Sequence, residues 1–210
     1  MRIIVRSTAE QKEEWLLKPA SASVDVHFTN DDFNEGLDNE ADAWVDLLFD
    51  DNSPVILNTT KPVFANAVSH VLNELPENYI RINGWPGFLQ RPVIEIASAD
   101  INKKNVDLIL RSLNRNYTFA PDIPGMIAAR SISMIINEAY FALGDNVSTK
   151  EEIDIAMKLG TNYPFGPFEW SKKIGLHKIY LLLKKLAVED TRYTTAPLLE
   201  KEALQTFIIQ

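Results

Sequence analysis

The chain has no cysteine, few glycines and no long apolar run. Its 210 residues include 8 glycines, 3 histidines and no cysteine. The absence of cysteine excludes disulfides, thiolate zinc sites and a cysteine nucleophile. No apolar run exceeds five residues, whereas a membrane-spanning helix needs about 20. The N-terminal stretch at 1–6 is too short for a secretory signal, so we expect a cytoplasmic protein without a membrane partner.

Negative charge is concentrated in the first quarter of the chain. Residues 1–51 carry 13 acidic and 4 basic side chains, and the other 159 residues carry 16 acidic and 17 basic ones. An acidic surface repels phosphate-rich partners, which argues against nucleic acid as a ligand. The hydrophobic fraction of 46% and the charged fraction of 24% are typical of a globular protein of one or two domains.

Up to about residue 120, short apolar runs alternate with helical stretches. This alternation favours an α/β arrangement with a largely parallel sheet. The predicted strands are 3–5, 24–28, 43–49, 55–57, 79–82 and 92–96. The predicted helices of this part are 9–17, 63–75 and 103–114.

The pattern becomes helical after Pro121. The predicted helices are 126–143, 149–159 and 168–186, the last one broken at Gly175. Thr149 and Glu152 have the spacing of a capping box, which predicts a helix start, and Gly160 is predicted to end that helix. A rigid turn is expected at 163–167 because two prolines and a glycine follow closely. The predicted domains are 1–120 and 121–210.

Motifs of the second half resemble the C-terminal domain of the 3-hydroxyacyl-CoA dehydrogenase family. Those motifs, in the order and spacing of the family, are DIPGMIAAR at 122–130, NEA at 137–139, IDIAMKLG at 153–160, YPFGPFE at 163–169 and IGL at 174–176. Weaker likenesses to the family's dinucleotide-binding domain are ADAWVDLLFD at 41–50, VILNTT at 55–60 and PVIEI at 92–96. The resemblance implies a reduced Rossmann-like α/β domain followed by an all-α domain of the 6-phosphogluconate dehydrogenase C-terminal type.

The resemblance also implies a set of site residues. In the family, a histidine removes the hydroxyl proton of a 3-hydroxyacyl-CoA while hydride passes to NAD, and a glutamate orients that histidine. The glutamate corresponds to Glu95, and the histidine position, 12 residues earlier, is Asn83. Asparagine can hydrogen-bond a substrate but cannot act as a base near neutral pH. Thr60 corresponds to a substrate-contacting serine or threonine, and Ala129 replaces an asparagine before Arg130.

The cofactor site that the resemblance implies departs from the family pattern. A dinucleotide diphosphate needs glycines after the first strand so that it can approach the backbone. Here the turn at 6–10 reads RSTAE and has no glycine. We therefore predict no NAD binding at the usual site, and NAD is implied by the resemblance alone. An acidic residue after the second strand, Asp31 or Asp32, is a weak candidate for a ribose contact.

The three histidines have no metal-ligand spacing, so no metal site is predicted. We expect His27, His70 and His177 to be structural or exposed, with His70 on a helix. His27, on a predicted strand, is the candidate for a displaced catalytic base.

Two function classes stay open. One is a 3-hydroxyacyl-CoA dehydrogenase-like oxidoreductase of fatty-acid metabolism with a degenerate site. The other is a non-catalytic relative that binds an acyl-CoA or a partner subunit. The resemblance further implies a homodimer through the helical domain. Apolar residues available either for that contact or for the core are Met126, Ile127, Ile135, Tyr140 and Phe165.

Overall fold

The structure, a computed structural model, describes residues 1–30, 41–50 and 56–208. Its contacts divide the chain into two compact units, Met1–Ile127 and Ala128–Gln210. Residues 121–127, which the sequence places in the second domain, hydrogen-bond within the first unit. Arg81 binds Asp122, and the backbone N–H of Gly125 donates to the carbonyl of Val68 at 2.8 Å.

The first unit is built on one sheet, which has seven strands among the described residues, in the order β2-β1-β3-β4-β5-β6-β7. The strands are β1 (Arg2–Arg6), β2 (Asp25–Thr29), β3 (Ala43–Asp46), β4 (Val63–Ala65), β5 (Tyr79–Ile82), β6 (Val93–Ala97) and β7 (Asn116–Phe119). Neighbouring strands are parallel except β5 and β6, which are antiparallel. The prediction of a largely parallel α/β sheet is confirmed.

Both faces of this sheet are covered by apolar side chains. Ile3 and Val5 of β1 belong to one buried cluster, together with Val106 of the helix Lys103–Ser112. Ile4, between them, belongs to a second cluster with Trp44. Because successive strand residues point to opposite faces, an unbroken apolar run is what a strand covered on both faces requires. The helices of this unit are α1 (Ala9–Leu16) and α2 (Lys103–Ser112), with short 3-10 helices at Leu72–Glu74 and Asp100–Asn102.

Two predicted elements of the first unit need correction, and one strand was not predicted. The predicted helix at 63–75 is instead β4 followed by irregular chain and the 3-10 helix Leu72–Glu74, because a short apolar run has no period that separates strand from helix. Residues 56–57 of the predicted strand at 55–57 are irregular, and Val55 lies outside the described residues. Strand β7 was not predicted, since it is mostly exposed and lacks an apolar face.

The second unit is helical throughout its described residues. Its helices are α3 (Ala128–Gly144), α4 (Lys150–Thr161), α5 (Pro167–Ile174), α6 (Leu176–Ala187) and α7 (Pro197–Ile208), with a 3-10 helix at Thr191–Tyr193. The capping box at Thr149 and Glu152 is confirmed, and so is the break at Gly175, where φ is 99°. Gly160 lies inside α4 instead of ending it. The helix ends at Thr161 and is capped by Asn162, which adopts the left-handed conformation with φ of 56°.

No helix in the described part of the chain is long and apolar enough to cross a membrane.

Candidate functional site

Asn83 and Glu95 lie next to each other, as the resemblance implied. Asn83 directly follows β5, and Glu95 is in the middle of β6, which runs antiparallel to it. The backbone N–H of Asn83 donates to the Glu95 carbonyl at 3.1 Å, and Nδ2 of Asn83 is 3.5 Å from Oε2 of Glu95. The same Oε2 accepts a hydrogen bond from the Ile127 backbone at 3.4 Å. The amide of Asn83, at the position that the resemblance aligns with the family's base, therefore lies beside the Glu95 carboxylate.

Thr60 lies away from this pair. It is exposed and precedes β4 by three residues, whereas Asn83 follows β5, which runs parallel to β4. Because parallel strands start at one edge of a sheet and end at the other, Thr60 and Asn83 lie at opposite edges. Residues 55–60 resembled the end of a family strand only if 55–57 formed a strand. Ile56 and Leu57 are irregular instead.

The carboxyl edge of β1 and β3 is filled by a buried ion pair. Strand β1 has β2 on one side and β3 on the other, so the crevice between the ends of β1 and β3 is the switch point where ligands of such sheets bind. Arg6 ends β1 and Asp46 ends β3, and their side chains are 1% and 2% exposed. Two hydrogen bonds of 2.9 Å join the guanidinium to the carboxylate. A desolvated ion pair thus lies between the two strand ends that a dinucleotide would approach.

The N-terminus of α1, beside this crevice, is capped by its own residues. The Gln11 backbone N–H donates to Oγ1 of Thr8 at 3.1 Å, and the Thr8 backbone N–H donates to Oε1 of Gln11 at 3.0 Å. Gln11 is fully buried, and its Nε2 donates to the carbonyl of Leu47 at 3.0 Å. A bound diphosphate would accept hydrogen bonds from backbone N–H groups at this helix start. Here the Thr8 and Gln11 side chains accept them instead, and the Gln11 side chain lies in the space beside them. NAD therefore does not fit at this edge, and Asp31 and Asp32 lie outside the described residues.

A pair that sequence reasoning missed lies at the same edge of the sheet. Asp50 follows β3 and His70 follows β4, and Nδ1 of His70 is 3.2 Å from Oδ1 of Asp50. The Asp50 side chain is 5% exposed and the His70 side chain 30%. The ring of Phe49 meets the His70 ring edge-on at 5.4 Å. This pair was missed from the sequence because a helix was predicted at 63–75. The observed strand Val63–Ala65 brings His70 to the carboxyl edge of the sheet, which the predicted helix would not do.

His27, named from the sequence as the candidate for a displaced base, is placed differently. His27 lies in β2, at the edge of the sheet, and is exposed. Within the described residues, no group of three or more His, Asp or Glu side chains could hold a metal ion.

The motifs of the second unit act as scaffold. Asp154, from IDIAMKLG, accepts hydrogen bonds from the backbone N–H groups of Phe168 at 2.8 Å and Glu169 at 3.1 Å. Burial raises the pKa of Asp154, although these two hydrogen bonds oppose the shift. Gly166, from YPFGPFE, leaves no room for a side chain, since a Cβ there would lie 2.5 Å from the Asp154 Cα. The two motifs therefore fit together as one packed joint between α4 and α5.

A second polar joint in this unit involves Asn137. Its Oδ1 accepts from the Ala196 backbone at 2.8 Å, and its Nδ2 donates to the Thr194 carbonyl at 2.9 Å. Arg130 donates from Nε to the hydroxyl of Tyr193 at 2.6 Å. Both contacts tie α3 to the chain before α7, so these motif residues serve packing here as well.

Comparison with known proteins agrees with these motifs. Residues 125–206 match the model of the 3-hydroxyacyl-CoA dehydrogenase C-terminal domain. The helical unit is thus similar to the C-terminal domain of the 3-hydroxyacyl-CoA dehydrogenase family. The resemblance read from the sequence motifs is confirmed.

Two curated relatives illustrate the extent of the similarity to this dehydrogenase family. The chain is 36% identical over 118 residues to the 3-hydroxyadipyl-CoA dehydrogenase of Escherichia coli, covering 53% of this chain and 25% of the relative. It is 36% identical over 132 residues to the 3-hydroxybutyryl-CoA dehydrogenase of Clostridioides difficile, covering 60% and 47%. The chain thus spans a quarter to a half of these relatives.

A solved structure shows the fold over more of the chain. The (S)-3-hydroxybutyryl-CoA dehydrogenase of Ralstonia eutropha superposes with a TM-score of 0.62 at 21% identity, covering 88% of this chain and 71% of that one. The prediction of a Rossmann-like domain followed by a helical domain is confirmed.

Proposed function

We propose that this protein is a 3-hydroxyacyl-CoA dehydrogenase relative that binds an acyl-CoA thioester without using NAD. The relatives act on 3-hydroxyacyl-CoA compounds by name, which supports the thioester as ligand. The second part of the proposal, that NAD is not used, rests on the buried Arg6–Asp46 pair between the ends of β1 and β3. A ligand diphosphate entering there would have to displace a desolvated ion pair, which is strongly unfavourable.

In this proposal Asn83 and Glu95 bind the acyl group instead of oxidising it. The Asn83 amide offers both a donor and an acceptor to a hydroxyl or carbonyl oxygen, but it has no site that takes up a proton near neutral pH. The carboxylate of Glu95 positions that amide. A role for Thr60 in the site stays a prediction that only the resemblance supports.

The alternative is a working NAD-dependent dehydrogenase of fatty-acid metabolism. The contact between Asn83 and Glu95 favours it, because the geometry of a base and its carboxylate partner is kept at 3.5 Å. The missing proton acceptor and the filled crevice both oppose it, so we rank it second.

We also propose a cytoplasmic homodimer formed through the helical unit. Helix α4 supports this, because its buried residue is the polar Asp154, while the apolar Ile155 and Leu159 are 53% and 83% exposed. Met126 and Tyr140, expected to serve either the core or the contact, are 1% and 2% exposed and belong to the core.

Calorimetric titrations of the purified protein with NADH and with acetoacetyl-CoA test the proposed function. We expect the thioester to bind and NADH to give no heat, with thermal unfolding showing that the protein is folded. NADH binding in the micromolar range would contradict the proposal.

The Asn83→His variant extends this test. It places an imidazole beside Glu95, yet we expect no NADH oxidation with acetoacetyl-CoA, because the cofactor crevice stays closed. NADH-dependent turnover by this variant would show that the base alone was missing and would establish the dehydrogenase alternative.

A further inference from the structure

The pair formed by Asp50 and His70 has the arrangement of an oriented base. Asp50 comes after β3 and His70 after β4, so the two neighbouring parallel strands deliver both side chains to the carboxyl edge of the sheet, where α/β proteins bind ligands. Oδ1 of the nearly buried Asp50 faces Nδ1 of His70. A carboxylate at Nδ1 selects the tautomer that leaves Nε2 as the proton acceptor. In the part of the chain that the structure describes, Nε2 has no hydrogen-bond partner.

The loop that carries His70 is held from several sides. Oδ2 of Asp50 accepts a hydrogen bond from the Val68 backbone at 2.8 Å. The buried Arg81 donates to the carbonyls of Ala67 at 3.0 Å and Val68 at 3.1 Å. The imidazole is thus placed before any ligand arrives, which is what a general base requires.

The chemistry open to this base is limited by the closed cofactor crevice. Removal of a hydroxyl proton leads to oxidation only if a hydride acceptor is present, and NAD does not fit. Hydrolysis of the thioester would call for N–H donors that stabilise an oxyanion. Of the seven backbone N–H groups at 66–72, all but that of Ser69 already make hydrogen bonds. Reversible removal of an acidic C–H proton asks less of this edge, because the enolate of a 3-oxo thioester spreads its charge over two carbonyl oxygens, whereas the tetrahedral oxyanion of hydrolysis is localised on one.

We propose that His70, positioned by Asp50, is a general base that enolises a 3-oxoacyl thioester bound at this edge. The choice of ligand rests on the proposed function. Nε2 takes the proton from C2, the electron pair of the C2–H bond forms a C2–C3 double bond, and the C3 carbonyl oxygen receives the negative charge. The imidazolium exchanges its proton with solvent and returns one to C2. Nothing is oxidised or reduced, and no group leaves.

Deuterium exchange at C2 measures this step directly. The probe is 2-methylacetoacetyl-CoA in D₂O, whose C2 methyl signal in the proton NMR spectrum collapses from a doublet to a singlet when the C2 proton is replaced. The rate without protein is subtracted. We expect the wild-type protein to accelerate the exchange and His70→Gln to lower the catalysed rate by about 10²-fold, while binding of the probe by calorimetry is unchanged.

Asp50 is a positioning residue and needs a separate readout. Asp50→Asn should lower kcat for exchange and leave KM unchanged, because it weakens the orientation of the imidazole without removing it. A variant that merely loosened the fold would alter KM and the unfolding temperature as well. Lys104→Gln, which changes an exposed side chain of α2, is the control and should exchange at the wild-type rate.

The outcomes separate the two proposals. Binding of the probe without accelerated exchange, or exchange by His70→Gln at the wild-type rate, overturns the enolisation role and leaves the proposed function intact. Release of free CoA thiol instead of C2 exchange overturns enolisation in favour of hydrolysis. Absence of binding by the folded wild-type protein overturns the proposed function, and the thioester assignment fails with it.

Discussion

Arg6 and Asp46 combine two roles that are usually separate. As an ion pair with side chains 1% and 2% exposed, they place buried charges at the edge where such sheets bind ligands and at the same time hold two strand ends together. The carboxylate also accepts the Leu48 backbone N–H at 3.0 Å, so it organises the turn after β3. Both residues therefore matter for folding as well as for what this edge can bind.

We expect Arg6→Met to lower the free energy of unfolding by about 3–5 kcal/mol, because Asp46 stays buried after losing two hydrogen bonds from its cation. The double variant with Asp46→Leu should regain much of that loss, since no buried charge is left. Urea denaturation measures both. Arg111→Met, which breaks an exposed pair with Asp107, is the control and should change stability little. A loss in Arg6→Met no larger than in the control would contradict the prediction.

Individual site residues differed in how well the sequence could locate them. The positions of Glu95 and Asn83 were predicted from the 12-residue spacing that the family resemblance implies, and the antiparallel pairing of β5 with β6 brings the two residues into contact. Asp50 and His70 are 20 residues apart, and only the pairing of β3 with β4 brings them together. No local pattern encodes that pairing, so the sequence could not show the contact.

At the scale of elements, turn and capping chemistry was easier to predict than short buried strands. The capping box at Thr149 and the break at Gly175 each depend on a few adjacent residues. Strand β4 has only three residues. An apolar run this short is equally compatible with a strand and with a helix, because it shows neither periodicity. Pattern reasoning therefore identified the helical unit more completely than the middle of the sheet.

The joint between α4 and α5 gives a test with an internal control. Gly166→Ala should destabilise the protein by about 1–3 kcal/mol, because the added methyl group would lie within 2.5 Å of Asp154. Gly160→Ala, inside α4 with open space around the new methyl group, should stabilise it by about 0.5–1 kcal/mol. Thermal or urea unfolding of both variants is the measurement. Equal effects of the two substitutions would contradict the close approach of Gly166 to Asp154.

For the whole molecule, the proposed homodimer makes a direct prediction. Ile155 and Leu159 are one helical turn apart and exposed, so replacing both with glutamate should convert a dimer into a folded monomer. Sedimentation velocity at micromolar concentration, with circular dichroism as the check on folding, measures this.

Val188→Glu is the matched control for that prediction. Val188 is 86% exposed at the end of α6, away in sequence from α4, and the variant should sediment like the wild-type protein. A wild-type protein that sediments as a monomer would contradict the homodimer.

The buried ion pair at the ends of β1 and β3 also bears on how this edge could be redesigned. A dinucleotide site would require glycines after β1, removal of Arg6 and neutralisation of Asp46. Each single step toward that state leaves a buried charge or a void, at a cost that is a large part of the roughly 5–15 kcal/mol by which domains are usually stable. A library of single substitutions would therefore lose folded protein before it gained cofactor binding, and an engineered site calls for replacing both charges at once.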